Sequence, residues 1–337
     1  MKAVVYDEFG APDVLRLADV DPPTPKEHEI LVKARAAAVN PLDWHFIRGE
    51  PSVMRLSGRP KARIPGVDVA GTVEAVGPNV TQFRRGDEVL GACRGSFAEY
   101  VCGNEDGFTQ KPARLTFEQA AAIPVAGFTA LQVLRDYGRV RPGQSVLVNG
   151  AAGGVGTFAV QIGKALGADV TGVCSAANVE LVRSIGADHV IDYTAEDFTR
   201  QARRYDLILN VAGNAKVSDT RRALAPRGTL VVVGGGVGRD LDSGITVSGM
   251  LALMFVALAS RLGRQRVSML LGKQVQSDDL ALIAKLVDDG KVTPVIDRSY
   301  PLAEAAEAVR YLEAGHARGK VVVTPRLACA SRGEPTP

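Results

Sequence analysis

The residues that decide the fold are 145–156, with the sequence SVLVNGAAGGVG. They begin with a short apolar run, residues 146–148, of the kind that a parallel strand buried on both faces shows. After the glycine-rich turn, apolar side chains recur at helical spacing from Val155 as far as Gly167, and a second strand pattern follows at residues 169–174. The order of strand, turn, helix and strand predicts a βαβ unit.

The glycine-rich turn has the composition of a phosphate-binding loop. Small residues permit a sharp bend, a close approach of the backbone to a pyrophosphate and tight packing of the helix, whose N-terminus offers free N–H groups. The spacing G-x-x-G-x-x-G departs from the G-x-G-x-x-G fingerprint, so a turn that binds no ligand is the alternative. The residues expected to contact a dinucleotide here are Gly150, Gly153, Gly154, Val155 and Gly156.

Length and charge narrow the class of protein. A chain of 337 residues is long enough for two domains, and its formal net charge of +3 comes from Lys and Arg residues scattered among acids. This distribution argues against a nucleic-acid-binding surface. Residues 1–6 have the pattern of a first strand and lack the apolar region of a signal peptide, so we expect a cytoplasmic protein.

One apolar run, residues 245–260, contains no charged side chain. It is shorter than the ~18 to 20 residues needed to span a bilayer, and Arg261, Arg264 and Arg266 follow it. We therefore expect no membrane insertion. The run instead predicts a buried strand and helix at a pocket or at a subunit interface, the latter in a possible homodimer.

The cysteines and histidines are dispersed along the chain. There are four of each and no C-x-x-C pair, which argues against a disulfide framework and a structural zinc site. Cys174 ends a predicted buried strand and is expected to be a packed thiol.

The first 122 residues show a different pattern. Short apolar runs, such as residues 30–34 and 67–76, are separated by Gly, Pro and Asp at brief intervals, which suits a barrel-like all-β domain. Together with the glycine turn, several segments resemble the medium-chain dehydrogenase/reductase superfamily. Within it they are most similar to the zinc-independent quinone oxidoreductase branch and its relatives of the reticulon-interacting-protein type. These segments are NPLDW at 40–44, PGVDVAG at 65–71, GDEV at 86–89, GSFAEY at 95–100 and HARGKVV at 316–322.

The resemblance implies an α/β protein with two domains. A GroES-like β-barrel catalytic domain is expected at residues 1–122, and a Rossmann coenzyme-binding domain with a doubly wound parallel sheet at residues 123–265. A C-terminal segment, residues 275–326, is expected to rejoin the first domain, and residues 327–337 to form a flexible tail. Further parallel strands are expected at residues 189–192, 206–210 and 230–234.

The cofactor is expected beyond the carboxyl ends of the parallel strands, where Asn210 and Gly234 stand. By resemblance, the helical stretch 116–137 links the two domains near the nicotinamide, which brings Thr129 to the cofactor. An Asp or Glu about 20 residues beyond the glycine turn would bind the ribose hydroxyl of NAD, but here Ser175 follows the strand and no acid is present.

These residues favour NADPH over NADH. The Ser175 hydroxyl can donate to a 2′-phosphate, and by resemblance Tyr193 touches the same group. Relatives often place a Lys or Arg near Ala177, which this chain lacks. Arg183 or Arg200 is the candidate replacement, the alternative being that both are solvated helix charges.

The zinc enzymes of the superfamily use a Cys near position 40 and a Gly-His-Glu segment near position 66 as ligands. This chain has Asn40 and Gly66-Val67-Asp68, and it lacks the cysteine-rich lobe that holds a second zinc. We therefore expect no zinc. Without a metal to polarise the acceptor, a quinone or an α,β-unsaturated carbonyl is favoured, because the incoming charge is delocalised over a conjugated system.

Asn40 and Asp43 are the predicted catalytic residues, because relatives have these positions facing the nicotinamide. The Asn40 amide would hold the substrate oxygen, and the Asp43 carboxylate would orient water or a donor. The alternatives are a turn residue for Asn40 and a helix cap for Asp43. His45 is a further candidate proton donor, and Lys320 is either a cofactor contact, by resemblance, or a surface charge.

These features together predict an NADPH-dependent oxidoreductase for a small conjugated carbonyl or quinone. A reductase of other activated alkenes, including acyl chains, is a neighbouring alternative. A non-enzymatic NADPH-binding sensor or interaction protein is the alternative from another class.

Overall fold

The computed structural model describes residues 1–50, 58, 63–213, 215–233, 247–260, 263–270, 274–315 and 317–325. The strands in these residues are β1 (Lys2–Val5), β2 (Arg16–Asp19), β3 (Glu29–Val39), β4 (Asp68–Val76), β5 (Glu88–Ala92), β6 (Tyr100–Asn104), β7 (Phe108–Gln110), β8 (Ser145–Asn149), β9 (Asp169–Cys174), β10 (His189–Asp192), β11 (Tyr205–Asn210), β12 (Leu224–Val232), β13 (Arg266–Met269), β14 (Ile296–Pro301) and β15 (Lys320–Thr324). The α-helices are α1 (Pro41–Arg48), α2 (Phe117–Ala121), α3 (Pro124–Gln132), α4 (Gly154–Ala165), α5 (Val179–Ser184), α6 (Val217–Arg222), α7 (Val247–Ser260), α8 (Ser277–Asp288) and α9 (Ala305–Glu313).

The six-stranded sheet is the Rossmann part of the fold. Its strands are all parallel, in the order β10-β9-β8-β11-β12-β13. The predicted βαβ unit is confirmed by β8, α4 and β9, and residues 146–148 are fully buried as a strand covered on both faces requires. The edge strand β13 was not predicted, because only one of its four residues, Val267, is buried.

The seven-stranded sheet joins two distant parts of the chain. Its order is β14-β15-β3-β4-β5-β7, and β6 also pairs with β3. Strand β15 runs antiparallel to β3, with Val322 opposite Ala38. Strand β14 was not predicted, because its side chains are mostly polar and none of them is buried.

Helix α3 packs against both halves of the molecule. Eight of its nine residues are buried, and it contacts α4 and α8 on one side and β4 and β5 on the other. One hydrophobic core therefore contains Ala38 and Val322 of the seven-stranded sheet together with Val148 of the parallel sheet. The division of the chain into domains at residues 122, 265 and 275 stays a prediction. The predicted flexible tail, residues 327–337, lies outside the described residues.

The apolar run at residues 245–260 forms a helix rather than a buried strand and helix. From Val247 to Ser260 the backbone is continuously helical, and residues 245 and 246 lie outside the described part. Met254, Phe255 and Leu258 are 50%, 73% and 62% exposed, so the described part of this chain does not cover them, and the expected burial at a subunit interface stays a prediction. Within the described ranges, no helix has the length and apolar character to cross a membrane.

Cys174 lies buried at the end of β9, as expected of a packed thiol. Burial raises the pKa of its thiol to about 11, so the thiol is uncharged near neutral pH.

Candidate active site

The glycine loop between β8 and α4 forms a cradle for a phosphate. Gly150 has a φ of +94°, which side chains disfavour. A Cβ on Gly156 would lie 2.0 Å from the Gly150 carbonyl oxygen, so only glycine allows the helix to start this close to the loop. Gly153 is the N-cap of α4, no side chain caps the helix, and its first turn has no acid. The N-terminus of α4 can therefore receive an anion.

A pair of asparagines lies between β8 and β11, where the strand order of the parallel sheet reverses. Asn149 Nδ2 donates to Asn210 Oδ1 at 2.9 Å, and the Gly213 N–H donates to the same oxygen at 3.2 Å. Asn210 Nδ2 is buried and has no hydrogen-bond partner among the described residues. The glycine cradle and this buried donor lie at one crevice and fit a dinucleotide. Gly234, also predicted to contact the cofactor, lies outside the described residues.

Ser175 and Tyr193 lie next to each other at the same end of the sheet. The Tyr193 N–H donates to the Cys174 carbonyl oxygen at 3.0 Å, and the Tyr193 side chain is 51% exposed. Ser175 Oγ accepts a hydrogen bond from Asn178 Nδ2 at 3.2 Å. Ser175 follows β9, which pairs with β8, and Tyr193 follows β10, which pairs with β9. The adenosine ribose of a bound dinucleotide would lie at this end of the sheet.

The two arginines considered for the 2′-phosphate form local ion pairs instead. Arg183 pairs with Glu180 at 3.0 Å, and Arg200 pairs with Asp197 at 3.2 Å. Their side chains are 60% and 83% exposed, which matches the alternative of solvated charges.

Helix α1 places Asn40 and Asp43 at one buried end. Asn40 is the N-cap, Pro41 occupies the first turn, and Gly49 ends the helix in the left-handed region. Asp43 Oδ2 accepts a hydrogen bond from the Asn40 N–H at 2.7 Å, so the carboxylate is a helix cap, as the alternative proposed. Its Oδ1 is buried with no partner in the described part of the chain. Burial raises the pKa of Asp43 to about 7, against the opposing effect of the Asn40 N–H.

The Asn40 side chain is fully hydrogen-bonded within the protein. Its Nδ2 donates to Asp68 Oδ2 at 3.0 Å and to the Ala38 carbonyl oxygen at 3.3 Å, while its Oδ1 accepts from Lys320 Nζ at 2.7 Å. Both amide hydrogens are used, so one of these bonds must open before Asn40 can hold a substrate oxygen. The catalytic roles of Asn40 and Asp43 stay predictions.

Asp68 completes this cluster and was not predicted as a site residue. Its Oδ2 accepts from Asn40 and from Lys320 Nζ at 3.2 Å, and its Oδ1 accepts from the Val125 N–H at 3.0 Å. Burial raises its pKa, and the Lys320 ammonium opposes that shift. The signal that pointed to Asp68 was its place in the Gly66-Val67-Asp68 segment, where the zinc enzymes have Glu, but it was used only to exclude zinc.

Lys320 is buried, so the alternative of a surface charge is wrong, and its contact with the cofactor stays a prediction. The residue is 3% exposed, and its ammonium lies between Asn40 and Asp68. Its backbone is nevertheless tied to the loop, because the Gly319 N–H donates to the Ala152 carbonyl oxygen at 2.8 Å. A Cβ on Gly154 would lie 2.9 Å from Lys320 Cδ, so the lysine stem passes directly over the start of α4.

Two other predicted site residues, Thr129 and His45, have no hydrogen bond to Asn40, Asp68 or Lys320 among the described contacts. Thr129 is buried on α3, the helix whose second residue, Val125, binds Asp68. His45 Nδ1 lies 2.8 Å from Glu50 Oε2, and the imidazole stacks on Trp44 with ring centroids 3.7 Å apart. His45 is thus paired with Glu50 rather than with the Asn40 cluster.

The residues at the zinc-ligand positions do not fit zinc. Asn40, Val67 and Asp68 supply an amide, an alkyl group and one carboxylate in place of the thiolate and imidazole that zinc prefers. The two polar side chains bind an ammonium ion instead. No group of three or more His, Cys, Asp or Glu side chains in the described ranges is arranged to hold a metal.

Comparisons with known proteins agree with this architecture. The family model of the alcohol dehydrogenase GroES-like domain matches residues 26–113, and the model described as zinc-binding dehydrogenase matches residues 185–323. The mitochondrial NAD(P)H oxidoreductase RTN4IP1 of Mus musculus is 35% identical, over 96% of this chain and 89% of its own length. The chloroplastic NADPH-dependent alkenal/one oxidoreductase of Arabidopsis thaliana is 34% identical, over 96% of this chain and 80% of its own.

A solved structure extends the comparison to the fold. The quinone oxidoreductase of Escherichia coli complexed with NADPH superposes with a TM-score of 0.81 and 26% identity, covering 96% of this chain and 100% of the other. The chain belongs to the medium-chain dehydrogenase/reductase superfamily, in its quinone oxidoreductase branch. The predicted fold, a GroES-like domain with a Rossmann domain, and the predicted class, an NAD(P)H-dependent oxidoreductase, are confirmed.

Proposed function

We propose that this protein is a zinc-independent reductase that uses NADPH to reduce quinones or α,β-unsaturated carbonyl compounds. The observation that carries the proposal is the buried cluster of Asn40, Asp68 and Lys320 beside the glycine loop. It places a polar, cationic centre without zinc ligands next to a cradle for a dinucleotide.

The residues at the zinc-ligand positions favour one class of hydride acceptor, a compound that needs no metal to polarise it. A simple ketone needs strong polarisation at its oxygen, which zinc supplies in the metal-dependent relatives. A quinone or an enone spreads the incoming charge over its conjugated system and therefore needs less polarisation at its oxygen. Relatives named as a quinone oxidoreductase and as an alkenal/one oxidoreductase support this class of acceptor.

Bound NADPH supplies the hydride. The chain's own residues bind and orient it: the loop from Gly150 to Gly156 receives the pyrophosphate, and Asn210 Nδ2 offers a buried donor in the same crevice. Ser175 and Tyr193 would bind the 2′-phosphate, since no acid stands at the end of β9 to repel it. Asn40 and Asp43 are the proposed catalytic residues near the nicotinamide.

A spectrophotometric screen tests this function. Purified protein with NADPH is offered a panel of ortho-quinones, para-quinones and enones, and oxidation is followed by absorbance. Turnover of members of the panel is expected. Tight NADPH binding without oxidation of any member would contradict the proposal and favour a non-enzymatic NADPH-binding protein.

Metal analysis tests the zinc-independent part of the proposal. The purified, active protein is expected to contain zinc far below one ion per chain and to keep its activity after treatment with a chelator. Stoichiometric zinc whose removal abolishes turnover would contradict it.

Two further proposals concern assembly and location. The exposed apolar side chains of α7, Met254, Phe255 and Leu258, support a homodimer that covers them. The cytoplasm is the proposed location, supported by the free thiols of Cys93, Cys102 and Cys174. Because relatives carry chloroplastic and mitochondrial names, cell fractionation of the source organism is the direct test.

A further inference from the structure

We infer that the Lys320 ammonium is the fixed positive charge of this centre, a positioning residue that holds the Asn40 amide and stabilises negative charge on the acceptor oxygen during hydride transfer. The inference rests on the proposed function. It differs from the cofactor contact that the family resemblance implied for Lys320.

The first support is the position of the ammonium group. Lys320 Nζ lies 2.7 Å from Asn40 Oδ1 and 3.2 Å from Asp68 Oδ2. These two residues stand in the segments where the zinc enzymes carry a Cys and a Glu. The chain therefore binds a lysine ammonium between two residues whose positions, by the resemblance, carry metal-site residues in the zinc enzymes.

The second support is burial. The side chains of Lys320 and Asp68 are 3% and 0% exposed, so water does not screen the charge as it would at the surface. Placing an ammonium ion there costs desolvation free energy, which is offset only where the ion is paired and hydrogen-bonded. An ammonium has three donors, of which Asn40 and Asp68 account for two.

The third support is the link to the cofactor loop. Gly319 forms a bridge with Gly153 and donates its N–H to the Ala152 carbonyl oxygen. The lysine stem crosses Gly154 at the first residue of α4. The same two residues, Gly319 and Lys320, thus join the phosphate cradle to the Asn40 cluster, which fixes the charge relative to a bound cofactor.

The chemistry needs such a charge. Bound NADPH would supply the hydride by breaking a C–H bond of its nicotinamide, which would be oxidised to the NADP⁺ form. The acceptor would be reduced: it gains a C–H bond, its displaced π-electron pair moves through the conjugated system to the carbonyl oxygen, and that oxygen takes a proton from solvent. Lys320 remains protonated throughout. A fixed positive charge that acts through the Asn40 amide, once one of its Nδ2 hydrogen bonds has opened toward the acceptor oxygen, lowers the energy of this transition state more than that of the bound substrate.

The test separates this role from simple charge balance with Asp68. We compare Lys320→Met, Asp68→Asn and the double variant, with Lys291→Met as a control at an exposed lysine. Lys320→Met is expected to lower both the melting temperature and kcat, because it leaves Asp68 as an unpaired buried charge. The double variant removes that charge but retains only one acceptor oxygen for the Asn40 and Val125 donors, so it is expected to regain most of the melting temperature and to bind NADPH as the wild-type protein does.

The decisive measurement is kcat of the double variant with an acceptor that the wild-type protein reduces. We expect it to stay lower by on the order of 100-fold, comparable to the loss of one oxyanion-stabilising group, with a smaller change in KM. Recovery to within about threefold of wild type, the range of a neutral substitution, would show that Lys320 only balances Asp68 and would overturn the inference. Absence of turnover by the wild-type protein would instead overturn the proposed function on which it rests.

Discussion

Asn149 and Asn210 join the ends of the neighbouring strands β8 and β11 through a hydrogen bond of 2.9 Å from Nδ2 to Oδ1. This bond fixes the orientation of the Asn210 amide and leaves its Nδ2 buried, with no partner among the described residues, at the carboxyl end of β11. A buried donor without a partner costs about 1–3 kcal/mol. An acceptor on a bound dinucleotide would remove that cost.

Replacing Asn210 by Ala should therefore weaken NADPH binding. We expect the Kd to rise by about tenfold, equivalent to about 1.4 kcal/mol, measured by fluorescence titration. Thr171→Val is the control, since Thr171 also carries a buried side-chain oxygen but lies in the middle of β9. An equal Kd for Asn210→Ala and wild type would exclude a cofactor contact at this position.

The glycine loop gives a second prediction, from two glycines only three residues apart. Gly156→Ala should prevent NADPH binding and lower the melting temperature, because the new Cβ would meet the Gly150 carbonyl oxygen at 2.0 Å. Gly153→Ala should fold normally, because the nearest atom to its Cβ is 3.5 Å away. Thermal unfolding with and without NADPH measures both effects. A stable, NADPH-binding Gly156→Ala protein would contradict the loop geometry.

Cofactor preference provides a third prediction. We expect wild-type protein to bind NADPH more tightly than NADH, by about tenfold, or about 1.4 kcal/mol. Ser175→Asp should reverse the preference, because a carboxylate at the end of β9 repels a 2′-phosphate and accepts from a 2′-hydroxyl. Isothermal titration with both cofactors measures the ratio. Equal or tighter NADH binding by the wild-type protein would disprove the NADPH assignment.

The raised pKa of Asp43 predicts a pH-dependent stability. Burial raises this pKa from 3.8 to about 7, so between these pH values the folded state keeps a proton that the unfolded chain releases. The contribution of Asp43 is fully present below about pH 4 and is lost as the pH rises through 7. Asp43→Asn keeps an acceptor for the Asn40 N–H but cannot titrate.

Urea unfolding of both proteins at pH 5 and pH 8 tests this linkage. Relative to wild type, the free energy of unfolding of Asp43→Asn should be higher at pH 8 than at pH 5. A difference that does not change with pH would mean that Asp43 is ionised throughout the range. Turnover of the same variant tests its catalytic role, and an unchanged kcat would leave Asp43 as a helix cap.

The exposed side chains of α7 predict self-association. Phe255 is 73% exposed, and Phe255→Lys should shift a dimer toward monomer in sedimentation velocity at low concentration. Leu282→Lys, at an apolar residue of α8 that is 39% exposed, is the matched control and should leave the sedimentation coefficient unchanged. A wild-type protein that sediments as a monomer at all concentrations would refute the dimer.

The parts of the fold that could be predicted from sequence are those buried on both faces. The centre of strand β8, residues 146–148, must be apolar at every position, and the start of α4 must be glycine for steric reasons, so both leave a clear pattern. Strands β13 and β14 lie at sheet edges, where polar and apolar residues are both tolerated. Their residues therefore carry no strand signal.

The central contacts of the site could not be predicted from sequence. Asp68 and Lys320 are 252 residues apart. The family resemblance returns residues 275–326 to the first domain, but no local pattern gives the pairing of β15 with β3 that brings these two side chains together. A lysine in a Gly-Lys turn has the same appearance whether it lies in solvent or between two buried side chains. Asn40 and Asp43 can be placed at the start of a helix, where Asp43 accepts from the Asn40 N–H, but the lysine partner of the Asn40 side chain lies on this distant strand.

The pairing of β15 with β3 also has a consequence for the time course of biosynthesis. Asn40 leaves the ribosome 280 residues before Lys320. At about 5–20 residues per second this delay is on the order of tens of seconds. Throughout that interval the end of β3, at residues 37–39, is an uncovered strand edge open to other nascent chains. We expect chaperone demand for this protein to depend on how quickly the last part of the message is translated.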